Sequence, residues 1–163
     1  MKGFRRAGEN HAALDVRSHV ARGVVGSADD VARVRREFAR WLQRRFFLNE
    51  SRRCDLTLAV NEALTNAVEF GYFDGTGEGL VVFNATYDKI TRLLTVTVSN
   101  RGRWRLRLAE TATVTGPLAT RGRGIVLMEL LTDELRIVPS ERGTEVSLVW
   151  TDLQPRYPVL FSV

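Results

Sequence analysis

The chain has 163 residues and a formal charge of +5, from 24 Lys and Arg against 19 Asp and Glu. A chain of this length typically forms one domain, which buries about 70% of its extended surface on folding. With 44% hydrophobic and 26% charged residues, the composition is that of a globular protein and excludes a wholly disordered chain. No apolar run approaches the roughly 18 residues that a membrane helix needs.

The first six residues, Met-Lys-Gly-Phe-Arg-Arg, are basic but lack the apolar stretch of a secretory signal. Cys54 is the only cysteine, so an internal disulfide is excluded. Together with only two histidines it does not make a structural zinc site, and we expect a small buried side chain there. These features predict a cytoplasmic protein that does not contact a membrane.

The positive charge does not by itself predict nucleic-acid binding. Lys2 and Lys89 are the only lysines, and the other basic residues are arginines. Genome composition explains this excess of arginine over lysine as readily as function does. Clustering, rather than net charge, makes an electrostatic footprint, and we therefore expect no direct contact with nucleic acid. One predicted helix, whose outer face is solvated in any case, carries Arg33, Arg35, Arg36, Arg40, Arg44 and Arg45.

The first half of the chain predicts one strand and two helices. Residues 1–10 are polar and predicted to be flexible, and the alternation over residues 13–20, before Gly26, predicts a strand. Ser27 followed by Asp30 is the start signal of a helix. The apolar residues that then recur at spacings of three and four are Val31, Val34, Phe38, Trp41, Leu42 and Phe46.

The second helix is predicted from Cys54 to about Phe70, because Ser51 and Asp55 give another start signal. A glycine-rich turn follows it over residues 70–79. A third helix is predicted at residues 124–131. The remaining strands are predicted at residues 80–87, 93–99, 134–138 and 145–150.

This order of elements lacks the regular alternation of a doubly wound fold. It predicts an α/β (α+β) two-layer sandwich, with three helices on one face of a mixed, mostly antiparallel sheet. Residues 11–152 would form the single domain, and residues 153–163 would be a tail. The long irregular stretch over residues 101–122 is predicted to be a lid-like loop, since such stretches inside compact domains are usually functional or mobile.

Three segments carry side chains that packing does not require, and the first lies in the second helix. Glu62 and Asn66 are four residues apart and share one helical face. The carboxylate of Glu62 can accept a proton from an attacking hydroxyl, and the amide oxygen of Asn66 is a hard ligand suited to magnesium. The alternative is an ordinary exposed polar face.

The other two segments contain glycine. Arg121-Gly122-Arg123-Gly124 precedes the third helix, where glycines let backbone N–H groups approach phosphate oxygens and arginines can clamp them. An ordinary loop with solvated arginines is the alternative. Residues 99–102, which include Asn100 and Gly102, end a strand and could contact a base edge or simply make a turn.

Taken in this order, the segments resemble the GHKL ATPase superfamily, and within it the small bacterial anti-sigma-factor serine-protein kinases. Residues 58–68 match the family's first box, with Glu62 in the catalytic-base position and Asn66 in the magnesium position. Residues 122–128 resemble its second glycine box. The resemblance spans residues 14–151 and implies a Bergerat-type ATP-binding fold.

The boxes that surround the adenine carry the main departure. Residues 98–104 lie where the family's adenine-contacting box belongs, but its aspartate is replaced by Asn100. An asparagine can still accept through its oxygen and can donate through its NH₂ group. Gly143-Thr144 resembles the final pair that supports the adenine, so the resemblance assigns Thr144, Asn100 and Gly102 to nucleotide binding.

The resemblance implies a protein that binds ATP and Mg²⁺, sequesters a sigma factor and phosphorylates a serine on an anti-sigma-antagonist protein. Glu62 would be the catalytic base, and Arg121, Gly122, Arg123 and Gly124 would hold the phosphates. Relatives often pair, so a homodimer is also expected. The alternatives are a non-catalytic binding module with a degenerate nucleotide site and a detached histidine-kinase ATPase domain.

Overall fold

The computed structural model of the chain describes residues 17–25, 27–71, 81–100, 119–140 and 143–156. Within these ranges the strands form one sheet and the helices form one layer against it. In chain order they are β1 Arg17–Val25, α1 Ala28–Arg45, α2 Glu50–Gly71, β2 Val81–Asp88, β3 Leu93–Asn100, α3 Ala119–Leu131, β4 Glu134–Ser140 and β5 Gly143–Trp150.

The described strands form one sheet in the order β1-β2-β3-β5-β4. Every neighbouring pair is antiparallel, so the mixed sheet expected from the sequence is an antiparallel one. The last strand in the chain, β5, lies between β3 and β4. Its pairing with β3 sets Thr144 directly opposite Asn100, which brings two predicted nucleotide-binding residues to one end of the sheet.

Helix α1 follows the predicted pattern closely. The Ser27 hydroxyl accepts a hydrogen bond from the Asp30 N–H at 3.2 Å and caps the first turn. The helix ends at Arg45, one residue before the last apolar residue of the predicted pattern, and the N–H of Phe46 still bonds to the Leu42 carbonyl at 3.0 Å. The apolar face that packs on the sheet consists of Val31, Val34, Phe38, Trp41 and Leu42.

Helix α2 begins four residues before the predicted start at Cys54. Its cap is Asn49, whose Oδ1 accepts a hydrogen bond from the Arg52 N–H at 2.8 Å. The prediction of a buried Cys54 is wrong, because this residue lies one turn before Leu58 on the outer face and is exposed. The buried face of α2 consists of Leu56, Ala59, Val60, Ala63, Leu64 and Ala67.

The core lies between the helices and one face of the sheet. In strands β2 and β3, buried residues alternate with residues that are half-buried or exposed, as expected for a sheet covered on one side. Phe38, Phe83 and Trp150 are among the largest fully buried side chains. Among the described helices, none is both long and apolar enough to cross a membrane.

The chain after β5 packs back onto the domain and is not a separate tail up to Arg156. Leu153 is only 2% exposed, and its carbonyl accepts the Tyr87 hydroxyl at 2.8 Å. Pro155 pairs with Phe46 in an antiparallel bridge. We call residues 153–156 the C-terminal clasp; the domain therefore continues past the predicted boundary at residue 152.

Candidate functional site

The centre of the candidate site is the contact between α2 and α3. Glu62 and Asn66 stand one turn apart on α2, and the buried Gly124 of α3 faces both. A Cβ atom on Gly124 would lie 3.0 Å from Oε2 of Glu62 and 3.2 Å from Nδ2 of Asn66. These separations are tighter than ordinary contacts, so glycine lets the backbone of α3 approach the two polar side chains.

Asn66 has a buried polar group that the described protein does not satisfy. The side chain is 8% exposed, and within the described residues its Nδ2 has no hydrogen-bond partner. A buried donor left unpaired costs about 1–3 kcal/mol, so native structures rarely keep one without a purpose. The amide is therefore held in place by packing, with an N–H group that has no partner among the described residues.

The amide oxygen of Asn66, rather than its unpaired N–H, is the group that suits a magnesium ion bound together with phosphates. Mg²⁺ takes oxygen ligands and usually keeps several waters, with one or two protein ligands and the rest from substrate phosphates. Asn66 offers one amide oxygen of this kind. The described residues contain no cluster of three or more His, Cys, Asp or Glu, so within them no cage made of protein ligands alone competes with this arrangement.

Asn100, at the end of β3, joins three elements. Its Nδ2 donates to the carbonyl of Ala67 on α2 at 3.1 Å, and its Oδ1 accepts from the N–H of Thr144 on β5 at 3.2 Å. The side chain is 6% exposed. An aspartate could not donate to the Ala67 carbonyl, so the amide supplies a tie that the family's acid lacks. One N–H and one lone pair remain for a base, and adenine recognition by Asn100 stays a prediction.

Thr144 provides a second unsatisfied group beside Asn100. It is 5% exposed, and its Oγ1 has no hydrogen-bond partner among the described residues. The preceding Gly143 has a φ of 140°, a conformation that side chains rarely adopt. Gly143 therefore allows the strand to begin with the Thr144 N–H directed at Asn100, which explains the Gly-Thr pair in physical terms.

The phosphate-binding segment differs from the prediction. Helix α3 begins at Ala119, so Arg121, Gly122 and Arg123 lie inside the helix and not in a loop before it. Residues 119–122 of the predicted lid-like loop are therefore helical, and the positive end of the helix lies at Ala119. Arg123 is exposed. Gly102 and the rest of residues 101–118 lie outside the described residues.

One contributor to the site was missed from the sequence, the carbonyl of Ala67, because a backbone carbonyl has no side-chain signal. The one hint is that an asparagine, which can donate, stands where the family has an acid. Arg35 on α1 donates its Nη1 to Oδ1 of Asn61 at 3.3 Å, and this contact between α1 and α2 lies beside the site and is not part of it. No sequence pattern marks that contact.

Residues 24–150 match the model of the histidine kinase-like ATPase domain. The chain belongs to this family. This membership confirms the GHKL resemblance and identifies the chain as a kinase-like, ATP-binding domain. No curated protein matches the chain significantly.

Two solved structures share the histidine kinase-like ATPase fold with the chain. One contains the RsbU and RsbW domains of Rv1364c from Mycobacterium tuberculosis, at 22% identity and a TM-score of 0.59, covering 90% of this chain and 34% of that one. The other is the histidine kinase domain of a blue-light activated histidine kinase from Erythrobacter litoralis EL346. It is 20% identical, with a TM-score of 0.51, and the match covers 76% of this chain and 59% of that chain.

At these identities the likeness shows the fold alone, and it confirms the predicted α+β architecture. The chain spans about a third of the length of the Mycobacterium tuberculosis structure. The activities and partners of such longer proteins therefore bear on this chain only as proposals.

Proposed function

We propose that this domain is a cytoplasmic anti-sigma regulatory factor of the kinase type. It binds ATP with magnesium, sequesters a sigma factor, and phosphorylates a serine on an anti-sigma-antagonist protein. Pairing into a homodimer belongs to the same proposal. The similarity to a structure that contains an RsbW domain supports the choice of this function within the family.

The proposal rests on the contact between Gly124 of α3 and the side chains of Glu62 and Asn66 on α2. A carboxylate and an uncommitted amide lie against a helix backbone that has no side chain at the point of contact. On an ordinary exposed polar face, Asn66 would be more than 8% exposed, and no glycine would be needed opposite it. The arrangement is suited to holding a polyphosphate next to a proton acceptor.

Different side chains of the chain have different roles in the proposed phosphoryl transfer. Glu62 accepts the proton of the serine hydroxyl as the serine oxygen bonds to the terminal phosphorus of ATP, while the bond from that phosphorus to the bridging oxygen breaks and ADP leaves. The amide of Asn66 orients the phosphate end, and the hydroxyl of Thr144 supplies a hydrogen bond at the Asn100 end. When bound on Asn66, magnesium would neutralise the charge of the phosphates.

Calorimetric titration with ATP, with and without magnesium, tests this proposal. We expect saturable binding that requires magnesium and weakens at least tenfold in Asn66→Ala. The matched control is Asn61→Ala, which removes an asparagine from the same helix whose described partner is Arg35. Equal weakening in both variants, or no binding at millimolar ATP, would overturn the assignment of Asn66.

Serine specificity needs a second measurement. The protein is incubated with terminally labelled ATP and a purified antagonist protein, and the labelled amino acid is identified. Phosphoserine supports the proposal. Label on histidine would instead favour a detached histidine-kinase domain.

One observation favours a second candidate, the non-catalytic binding module. Both polar ends of Asn100 already bond to the protein, to Ala67 and to Thr144. A base-contacting residue committed in this way would leave a weak adenine site. A protein that fails to bind millimolar ATP but captures a sigma factor in a pull-down would establish the module.

A further inference from the structure

The charges of α1 are divided along its length. Its three acids, Asp29, Asp30 and Glu37, all lie in the first ten residues of the helix. Arg33 forms ion pairs with Asp30 at 3.3 Å and with Glu37 at 3.4 Å, so its charge is already balanced. From residue 38 to residue 49 the chain contains no acid at all.

Three other arginines form an unbalanced stripe on the outer face of α1. Arg36, Arg40 and Arg44 are spaced four residues apart, so they stand on one side of the helix over a length of about 12 Å. All three are exposed. Among the described residues, none of the three has an ion pair or hydrogen bond.

The helix dipole does not account for this stripe. Cations stabilise a helix mainly within its last turn, which explains Arg44 and Arg45. Arg40 and Arg36 lie more than one turn before the end at Arg45. Three like charges at successive four-residue spacings repel one another and destabilise an isolated helix. Their arrangement therefore suits a partner that is outside the described chain.

A fourth arginine extends the charge past the end of the helix. Arg156 donates its backbone N–H to the Arg45 carbonyl at 2.8 Å and its Nε to the Phe46 carbonyl at 2.8 Å. Its guanidinium also lies 5.0 Å from the centre of the Phe47 ring, which is 62% exposed. We call Arg36, Arg40, Arg44 and Arg156 the α1 basic patch.

We propose that the α1 basic patch docks an acidic helix of a partner protein. Carboxylates four residues apart on a facing helix repeat at the spacing of Arg36, Arg40 and Arg44, and each guanidinium fork matches a carboxylate. Phe47 adds an apolar contact at the end of the stripe. This inference is independent of ATP use, because its residues lie on α1 and the clasp and not in the candidate site.

The patch suits an acidic protein better than a nucleic acid. Single-stranded nucleic acids bind by combining a basic groove with aromatic rings on which the bases stack. Here the guanidinium of Arg156 already covers a face of the Phe47 ring. The patch therefore offers charges in a regular row together with an aromatic ring that is already engaged.

The test uses a fluorescent helical peptide with glutamates at four-residue intervals in an alanine background. A second peptide has the same composition with its glutamates at irregular spacing. Binding is measured by fluorescence anisotropy at about 50 and 200 mM salt, because charge-driven binding weakens as salt screens it. We expect the regular peptide to bind at least fivefold more tightly than the irregular one.

The decisive variant is R36A/R40A/R44A, in which we expect at least tenfold weaker binding of the regular peptide. The control variant, R53A/K89A/R136A, removes the same number of charges from α2, the β2–β3 turn and β4. It should retain affinity within about twofold. Thermal unfolding of both variants checks that each is folded.

A charge-reversal variant provides a second test of the proposal if the alanine variant does not fold. R36E/R40E/R44E should lose the glutamate peptide and gain a peptide with lysines at the same spacing. Equal losses in the alanine variant and its control, or no preference for regular spacing, would overturn the proposal. Tighter binding to a single-stranded oligonucleotide of equal charge would also overturn it, in favour of a nucleic-acid site.

Discussion

The two ends of the sheet differ in whether their buried polar groups have hydrogen-bond partners. At the end where β5 leaves the sheet, which we call the clasp end, Tyr87 bonds to Leu153 and the Trp150 indole N–H bonds to the Leu131 carbonyl at 2.7 Å. At the other end, which we call the site end, Nδ2 of Asn66 and Oγ1 of Thr144 are buried with no hydrogen-bond partner among the described residues.

In the proposed function, this difference separates the part that stabilises the fold from the part that would bind the nucleotide. A satisfied buried hydrogen bond contributes about 1 kcal/mol, whereas an unsatisfied buried group costs about 1–3 kcal/mol. A ligand that pairs with the groups of the site end removes that cost and binds to the folded state alone. Changes at the clasp end should therefore alter stability, and changes at the site end should alter function.

The largest effect is expected at the site end, from Glu62→Gln. This change keeps the size of the side chain and removes the charge that accepts a proton. Transfer from labelled ATP should fall about 10²- to 10⁴-fold, while ATP affinity stays the same by calorimetry. Glu129→Gln, at an exposed position of α3, is the control and should keep full activity. Normal transfer in Glu62→Gln would exclude this residue as the base.

The largest effect on stability is expected at the clasp end, from Leu153→Ala. Leu153 is 2% exposed, and truncating a buried leucine costs about 2–5 kcal/mol in the free energy of unfolding. Chemical denaturation measures this loss, and ATP affinity well below the melting temperature should not change. Leu130→Ala, at a position that is 75% exposed, should cost less than about 0.5 kcal/mol. A similar small cost for Leu153→Ala would mean that the clasp does not stabilise the domain.

Gly124→Ala should lower activity while leaving the free energy of unfolding nearly unchanged. The new Cβ lies 3.0 Å from Oε2 of Glu62 and 3.2 Å from Nδ2 of Asn66, so both must shift by a few tenths of an ångström. Alanine also favours the helix by about 1 kcal/mol, which offsets this strain. We expect unfolding free energy within about 1 kcal/mol of the wild type and about tenfold lower activity. Val126→Ala, an exposed position on α3, controls for changes in that helix; unchanged activity in Gly124→Ala would contradict the proposed contact.

The smallest effect is expected for Asp133, which ties the α3–β4 turn to the end of β5. Its Oδ2 accepts from the N–H of Thr151 at 2.7 Å and lies 3.5 Å from the Arg52 guanidinium. Burial raises the pKa of this carboxyl, but the bonds from Thr151 and the charge of Arg52 lower it more, so its pKa lies below the ordinary 3.8.

The sign of the pH effect follows from this lowered pKa. The stabilisation is present above the ordinary pKa and is lost as pH falls through the lower pKa of the folded state. Because the group is half-exposed, Asp133→Asn should cost only about 1 kcal/mol at pH 7, measured by chemical denaturation. The cost should shrink as the pH falls below about 4. A cost that does not change with pH would show that the charge of Asp133 is not involved.

Much of the fold could be predicted because local patterns and tertiary packing agree. The apolar spacing and the Ser27 cap predicted α1. The strand-like runs over residues 80–87 and 93–99 predicted two central strands, which the structure has at Val81–Asp88 and Leu93–Asn100. The starts of α2 and α3 were placed too late, because serines and glycines suggested boundaries that packing overrides. The C-terminal clasp could not be predicted, since it depends on a contact between Phe46 and Pro155 that are far apart in the chain.

The candidate site was predictable to the extent that side chains define it. Glu62 and Asn66 were found from their spacing, and the structure brings Gly124 against both of them. The tie through Asn100 depends on a backbone carbonyl and a backbone N–H, which sequence patterns do not encode. The segment proposed to bind phosphates was placed before the third helix because glycine is a poor helix former, yet the structure includes residues 121–123 in α3.

The position of β5 in the sheet has a consequence for synthesis on the ribosome. Strands β3 and β4 both pair with β5, and the three buried side chains that β5 adds to the core are Val146, Leu148 and Trp150. A nascent chain that ends before Gly143 therefore carries two strands with open edges and an incomplete core, a state prone to edge-to-edge association. The domain must complete its folding after almost all the described residues have been translated, and the speed of that last step sets how long the open edges are exposed.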